Sequence, residues 1–195
     1  MVFSAERSKM RTWHHLALLL AIAVSLCSCQ RLAAPGEAGA RTLNDRQVAV
    51  LNQLHNEINL VYGYRDGSPR VNLGPCGRFA KAFYEEWNAR FRDKIRIVFV
   101  MKPDGTNCFH VLVKLPDGTY YDGGNGVIPG PTLLKQYPAG TRIEEMVVFD
   151  LKLLDKRSYG LGRDYPLCPN YSDATTSKII ETHLAMLPKD VASLR

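Results

Sequence analysis

The chain has 195 residues, of which 46% are hydrophobic and 23% are charged. This composition can supply a buried core, so it excludes a wholly disordered chain, a collagen-like repeat and a polytopic membrane protein. The 25 basic and 19 acidic residues give a net charge of +6. The basic residues are spread along the chain without a long run, which indicates a solvated surface, and we expect no nucleic-acid partner.

The amino-terminal segment has the features of an export signal. Basic residues precede an apolar stretch over 16–26, which is too short to cross a bilayer as a helix. The next residues, Leu26-Cys27-Ser28-Cys29, resemble a bacterial lipobox. The resemblance implies that residues 1–28 are a lipoprotein signal peptide and that Cys29 carries the lipid. An ordinary secretory signal cleaved nearby is the alternative.

Residues 29–43 are rich in alanine and glycine and predict a flexible tether, followed by a single domain over 44–195. The lipid would attach this domain to a membrane of the cell envelope, facing the periplasm. In lipoproteins of Gram-negative bacteria, aspartate after the lipidated cysteine retains the protein at the inner membrane. Gln30 occupies that position here, which predicts the outer membrane if the cell is Gram-negative.

Residues 45–60 are predicted to form the first amphipathic helix of the domain. Apolar side chains recur at helical spacing at Val48, Leu51, Leu54, Ile58 and Val61. Asn44 or Thr42 can cap its amino terminus, and the turn-forming run over 65–69 ends it.

A second helix of about fifteen residues is predicted to begin within Gly74-Pro75-Cys76-Gly77 and to continue through the residues that follow. Aromatic side chains recur at every fourth position, at Phe79, Phe83, Trp87 and Phe91. Such a series is typical of one buried helix face. Pro75 suits the first helical position, where its missing N–H costs nothing. The pattern therefore places Cys76 at the N-terminus of this helix.

Three strands are predicted next, over residues 94–101, 108–115 and 119–122. Pro116-Asp117-Gly118 joins the last two and has the chemistry of a three-residue hairpin loop with a left-handed glycine. We refer to residues 115–119 as the register turn, because its length decides which side chains share a face of the hairpin.

The register turn predicts that His110 and Asp122 share a face. If Leu115 pairs with Thr119, Asp122 is the diagonal neighbour of His110, about 7–8 Å away at the backbone and within reach of a side-chain contact. A two-residue turn would send Asp122 to the opposite face.

A cysteine that opens a helix, a histidine on one strand and an aspartate on the next resemble the core of the papain-like and transglutaminase-like cysteine peptidase superfamily. The resemblance implies that Cys76 is the nucleophile, His110 the general base and acid, and Asp122 the acid that orients the imidazole. The physical chemistry agrees with these roles. A helix N-terminus favours a thiolate, and a carboxylate behind an imidazole fixes its tautomer.

Two further features near the predicted triad bear on substrate binding. Asn72 is a candidate donor for an oxyanion hole only through its proximity to Cys76, whose own backbone N–H would have to contribute. Gly123, Gly124 and Gly126 follow Asp122 and predict an open rim that a substrate backbone could approach.

Three cysteines remain in the domain, and an oxidising compartment makes them disulfide candidates. We expect Cys108 to pair with Cys168 and to leave Cys76 free. Strand alternation places Cys108 on the face of His110. A bond from Cys76 to either partner, or an inert buried Cys76, is the alternative. Neither a metal nor a cofactor is expected, because no paired spacing supports a zinc site.

The rest of the chain completes a predicted α+β fold, in which a small antiparallel sheet packs on the helix carrying Cys76, with flanking helices at both ends. A short helix is predicted over 131–137, a strand over 145–150, a turn-rich stretch to residue 171 and a closing helix over 177–187.

These patterns predict an envelope-anchored cysteine hydrolase or acyltransferase that acts on an amide bond. Its substrate would be a peptide or protein, with a cell-wall peptide as one candidate. The alternative is a noncatalytic lipoprotein that uses the same fold as a binding or assembly module, with Cys76 inert or disulfide-bonded.

Overall fold

The computed structural model of the protein describes residues 43–158 and 160–188. The predicted signal peptide, Cys29 and all of the predicted tether except Leu43 lie outside these residues. In the described part of the chain, no helix combines the length and the apolar character that crossing a membrane requires.

The fold is α+β, as predicted. The described residues form five α-helices: α1 (Asp45–Tyr62), α2 (Cys76–Arg90), α3 (Gly130–Leu133), α4 (Leu151–Arg157) and α5 (Asp173–Leu184). They also form seven strands: β1 (Tyr64–Arg65), β2 (Ser68–Pro69), β3 (Arg96–Met101), β4 (Cys108–Lys114), β5 (Tyr120–Asp122), β6 (Gly126–Ile128) and β7 (Arg142–Glu145). Short 3-10 turns cover Arg70–Asn72 and Leu134–Gln136.

Two antiparallel sheets result from these strands. The first is the small β1–β2 hairpin, and the second has five strands in the order β6-β5-β4-β3-β7. In the second sheet β4 is the central strand. Its neighbours β3 and β5 flank it directly, so His110 on β4 lies in the interior of the sheet and close to Asp122 at the end of β5.

The two predicted amino-terminal helices are confirmed. α1 begins at Asn44, whose side chain accepts a hydrogen bond from the Gln47 backbone N–H, while the Gln47 side chain accepts one from the Asn44 N–H. This reciprocal arrangement is a capping box. α2 has the predicted length, but Pro75 is its N-cap and not its first residue. Pro75 still begins the helix, because its carbonyl accepts the first intrahelical bond.

The two faces of the large sheet bury separate groups of side chains. The larger core lies between the sheet and helices α1, α2 and α5, and it includes the aromatic face of α2. Phe83 of α2 lies 4.7 Å, between ring centroids, from Tyr121 of β5. On the opposite face Leu133 of α3 packs over a smaller cluster that contains Leu112. α2 is therefore held against β4 and β5, the strands that carry His110 and Asp122.

The hairpin register agrees with the prediction. Lys114 pairs with Tyr120, and the Leu115 backbone N–H donates to the Thr119 carbonyl at 2.8 Å. Gly118 adopts the left-handed conformation with φ +85°. The register turn is thus a three-residue loop, which places Asp122 on the side of the hairpin that faces His110.

A β-bulge between β3 and β4 was not predicted. Val100 pairs with His110 and Met101 pairs with Cys108, which leaves Phe109 as the additional residue. A bulge interrupts the alternation of side chains along a strand. The alternation that assigned Cys108 to the face of His110 therefore does not hold at this position.

The carboxyl-terminal part of the domain departs from the prediction at two elements. The strand predicted over 145–150 is wrong, because the strand that pairs with β3 is β7, which ends at Glu145. After it, Val147 and Val148 are 73% and 78% exposed, and Asp150 caps α4, a helix that the sequence did not predict. The short helix near 131–137 and the closing helix are confirmed with shifted ends.

Candidate active site

Cys76 lies at the N-terminus of α2, where the first backbone N–H groups of a helix have no intrahelical acceptor. The chain enters this position through Gly74, whose φ is +130°. A Cβ at Gly74 would lie 2.8 Å from the Tyr165 ring, so only glycine fits. Cys76 itself is buried, with 8% of its surface exposed. The Gly74-Pro75-Cys76-Gly77 motif thus forms the turn that places the Cys76 thiol at the start of α2.

His110 lies between Cys76 and Asp122. The imidazole Nε2 is 2.9 Å from Asp122 Oδ2, and Cys76 lies near enough to help raise the pKa of His110. The Cys76 thiol itself donates to the Gly74 carbonyl at 3.9 Å. Because Nε2 is engaged with the carboxylate, Nδ1 is the ring nitrogen left for a proton exchange with the sulfur. The structure therefore brings together the three residues of the predicted triad in the order cysteine, histidine, aspartate.

Asp122 is held by five hydrogen bonds. We refer to residues 122–126 as the acid loop. Oδ1 accepts from the Asn72 side chain at 3.2 Å and from the backbone N–H groups of Gly124 and Asn125 at 2.8 and 2.6 Å. Oδ2 accepts from the Asn125 side chain at 3.0 Å and is the partner of His110. With 1% exposure, the carboxylate is both buried and fully satisfied.

The hydrogen bonds set the charges of the buried pair. Burial raises the pKa of Asp122, but the hydrogen bonds and charge of His110 and the donors of Asn125 outweigh it and lower the pKa to about 2. Burial lowers the pKa of His110, and the contacts with Asp122 and Cys76 reverse this effect and raise it to about 10. At neutral pH the arrangement favours a carboxylate beside an imidazolium.

The interpretation of the acid-loop glycines as an open rim is wrong. Gly123, Gly124 and Gly126 are buried. A Cβ at Gly123 would lie 2.7 Å from the Phe79 ring, and one at Gly124 would lie 2.5 Å from the Asn72 amide nitrogen. Glycine is needed here because the loop packs directly against α2 and the 3-10 turn, and no space is left for a substrate backbone.

Asn72 lies beside both Cys76 and Asp122. It lines the cleft next to Cys76, which is where an oxyanion donor would stand. Its Nδ2 donates to Asp122 at 3.2 Å, while its Oδ1 is buried without a partner among the described residues. One amide hydrogen therefore positions the carboxylate, and the second is the candidate donor toward a substrate.

A small cleft of about 170 Å³ opens beside Cys76. Its lining residues are Asn72, Gly74, Cys76, Lys102, Asn107, Cys108, Phe109 and Ser158. They come from the segment before α2, from the turn between β3 and β4, and from the end of α4. Among the described residues, the cleft between these segments therefore gives access to Cys76.

The predicted Cys108–Cys168 disulfide is absent from the structure, in which Cys76, Cys108 and Cys168 are free thiols. The Cys108 thiol instead donates to the Arg157 carbonyl at 3.0 Å. Burial, together with the charge of Cys76, raises the pKa of Cys108 to about 12. Cys108 therefore fixes the end of α4 to β4 as a neutral thiol.

Sequence reasoning missed several residues that hold the site. Asn125 supports Asp122 directly, and Asn59 of α1 donates to the Gly124 carbonyl at 2.7 Å. An aspartate followed by Gly-Gly-Asn-Gly is a signal for an Asx-type turn, so Gly124 and Asn125 could have been found. Nothing local connects Asn59 with the acid loop, which is 65 residues away in the chain.

Comparison with known proteins leaves the chain without a match: no family model, no curated protein and no solved structure matches it. Among residues 43–158 and 160–188, no group of three or more His, Cys, Asp or Glu side chains is arranged to hold a metal ion. The chemistry of the site must therefore be argued from its own geometry.

Proposed function

We propose that the protein is a cysteine hydrolase or acyltransferase that cleaves an amide bond through Cys76, His110 and Asp122. The observation that supports this most strongly is the position of His110, whose imidazole is 2.9 Å from Asp122 and whose pKa is raised by both Asp122 and Cys76. A nucleophile, a base and an orienting acid placed together are the components of a nucleophilic triad.

The reaction proceeds in two stages. The Cys76 thiolate attacks the amide carbon, and His110 donates its proton to the leaving amine as the C–N bond breaks and a thioester forms. Water or an amine acceptor then gives a proton to His110 and attacks the thioester, which releases the acyl group and restores the thiolate and imidazolium. Hydrolysis and transfer differ only in the acceptor.

Two positive groups lie beside the Cys76 sulfur, which is the attacking atom. They are the partial positive charge of the α2 N-terminus and the imidazolium of His110. The free backbone N–H groups of the first turn of α2, with the second amide hydrogen of Asn72, are the candidate donors to the oxyanion.

We place this activity at the cell envelope, where lipidation of Cys29 would anchor the domain to a membrane facing the periplasm. A peptide or protein amide, including that of a cell-wall peptide, is the proposed substrate. Both parts of this proposal follow from the lipobox resemblance and the chemistry of the triad, and they can be tested separately from it.

The first experiment measures alkylation of the full-length protein by iodoacetamide as a function of pH, with each cysteine followed by peptide mass spectrometry. Cys108 is an internal control, because it lines the same cleft and its pKa is raised to about 12. We expect Cys76 to react at neutral pH while Cys108 remains unmodified. Replacing His110 with alanine should slow the reaction of Cys76 at neutral pH by about tenfold or more.

A second measurement tests acyl transfer. An activated ester such as p-nitrophenyl acetate should release a burst of nitrophenolate and leave a thioester on Cys76, and the burst should disappear in Cys76→Ser. Equal reactivity of Cys76 and Cys108, or a Cys76 profile that His110→Ala leaves unchanged, would contradict the proposal. Either result would favour the noncatalytic binding module.

A further inference from the structure

The cleft beside Cys76 has an unbalanced charge. Apart from the two thiols, its lining contains three neutral polar side chains, Asn72, Asn107 and Ser158, and one charged side chain, Lys102. No carboxylate from the described residues lines it. A group that enters this cleft therefore meets an ammonium and no opposing acidic side chain.

Lys102, a lining residue of the cleft, is held in place by its neighbours. It follows β3 directly, and its backbone N–H donates to the Asn107 carbonyl at 3.0 Å, which closes the turn that leads to β4. The ammonium lies 5.6 Å from the centroid of the Phe109 ring, another lining residue. This cation–π contact directs the side chain along the cleft wall.

The Lys102 ammonium forms no ion pair within the described part of the chain. Its charge acts on Asp104, which is exposed and whose Oδ1 accepts two hydrogen bonds from Thr106. Arg157, which precedes the lining residue Ser158, is occupied by the Gly105 carbonyl and Glu144. Among the described residues that line the cleft, Lys102 is therefore the cation available to an incoming anion.

We infer that Lys102 selects substrates that carry a carboxylate close to the amide that Cys76 attacks. This inference rests on the proposed function and specifies its substrate class. Lys102 places a positive charge in the lining of the cleft that contains Cys76, where no carboxylate from the described residues opposes it. It therefore favours an anionic ligand over a neutral one of the same shape.

The test compares two alkylating reagents of nearly equal size, the anionic iodoacetate and the neutral iodoacetamide, on Cys76 of the full-length protein. The measured quantity is the ratio of the iodoacetate rate to the iodoacetamide rate. Lys102→Gln should lower this ratio about threefold at low ionic strength, because the site is partly exposed and screened. Lys102→Glu should lower it further, and Lys102→Arg should restore it.

Lys156→Gln is the matched control, because it removes the same charge from the neighbouring surface of α4 without altering the lining of the Cys76 cleft. It should lower the ratio less than Lys102→Gln does, because Lys156 lines only the adjoining depression, which shares Asn107 and Ser158 with the Cys76 cleft. The ratio also separates selection from general effects, since a loss of thiolate slows both reagents alike.

Three results are informative. A ratio that falls in Lys102→Gln and recovers in Lys102→Arg supports the inference. A reactive Cys76 with the same ratio in all Lys102 variants, or an equal effect of Lys156→Gln, overturns the inference and leaves the proposed function intact. A Cys76 that neither reagent modifies overturns both.

Discussion

The register turn and the acid loop look alike in sequence but differ in physical role. Each joins two antiparallel strands. Each contains at least one glycine, and an aspartate that accepts hydrogen bonds from nearby N–H groups. A Cβ at Gly118 of the register turn would meet nothing within 4 Å, whereas one at Gly124 of the acid loop would lie 2.5 Å from Pro69 and Asn72. Gly118 is needed for the left-handed backbone conformation of the register turn, whereas Gly124 is needed for close packing of the acid loop.

The same contrast separates the two aspartates. Asp117 is half-buried, and it accepts bonds from its neighbour Thr119 and a longer one from Leu43. Asp122 is almost fully buried and accepts bonds from four residues, one of them His110. A turn that only reverses the chain can be built locally, whereas a turn that supports a catalytic acid must be fitted to the rest of the molecule.

The largest difference is expected between the aspartates. Asp122→Asn removes the buried charge that His110 faces, and we expect it to lower the free energy of unfolding by about 3–5 kcal/mol, the cost of breaking a buried pair. Asp117→Asn, the control, should cost about 1 kcal/mol or less. Urea unfolding measures both. Equal losses would show that the acid loop is no more constrained than the register turn.

The glycines should differ next. Gly124→Ala forces a methyl group against Asn72 and Pro69, and we expect a loss of about 2–3 kcal/mol in unfolding free energy together with slower alkylation of Cys76. Gly118→Ala strains only the left-handed backbone and should cost about 1 kcal/mol without affecting alkylation. If Gly118→Ala slowed the alkylation of Cys76 as much as Gly124→Ala does, the assignment of different roles to the two turns would be wrong.

The dependence of the unfolding free energy on pH should reveal the contribution of Asp122 in the acid loop. Because the pKa of Asp122 is lowered from 3.8 to about 2, its contribution is present above about pH 4 and is lost as the pH falls through 2. We expect about 2 kcal/mol of acid-side loss in the wild type. Asp122→Asn should lack this part of the acid-side loss and Asp117→Asn should retain it, whereas the share of Glu145, whose pKa is also lowered, remains in both. Urea unfolding across this range measures the loss.

A loss of stability at alkaline pH is expected from His110, whose pKa is raised from 6.5 to about 10. Its contribution is complete below pH 6.5 and is lost as the pH rises through about 10. Asp122→Asn should change this alkaline loss, because it removes one of the two residues that raise the pKa of His110, whereas Asp117→Asn should retain it. An unchanged alkaline profile in Asp122→Asn would count against the His110–Asp122 coupling.

The smallest effect is expected at side chains that only support the aspartates. Asn125→Ala removes one hydrogen bond to Asp122 but keeps the backbone donor, and it should cost about 1 kcal/mol. Thr119→Val removes the hydroxyl bond to Asp117 and should cost about 0.5 kcal/mol. Only Asn125→Ala should also slow Cys76 alkylation, and a comparable slowing in Thr119→Val would contradict the assignment.

The sequence predicts those parts of the molecule that local chemistry determines. The aromatic repeat of α2 defined a fifteen-residue helix, and Pro116-Asp117-Gly118 defined a register that the structure confirms. Because register and turn length are coupled, these local features were enough to bring His110 and Asp122 together. The predicted start of α2 at Cys76 then placed the thiol near both residues.

Tertiary packing explains what could not be predicted. The β-branched run at Val147 and Val148 suggested a strand, yet β3 pairs with the preceding charged residues, and the run is left exposed. α4 has only seven residues, too few for a clear helical periodicity. The acid-loop glycines resemble those of any flexible turn, and only the positions of Phe79 and Asn72 show that they are packed.

The edges of the large sheet are protected against pairing with another molecule. α1 packs against β6 at one edge. At the other, Glu145 of β7 binds Arg96 at 3.1 Å and Lys114 at 2.5 Å, and charged side chains on an edge strand disfavour strand addition. A domain concentrated at a membrane surface, as proposed, would meet its own copies often. The charges of β7 would keep these encounters from becoming intermolecular sheets, so neutralising Glu145 would be a route to aggregation.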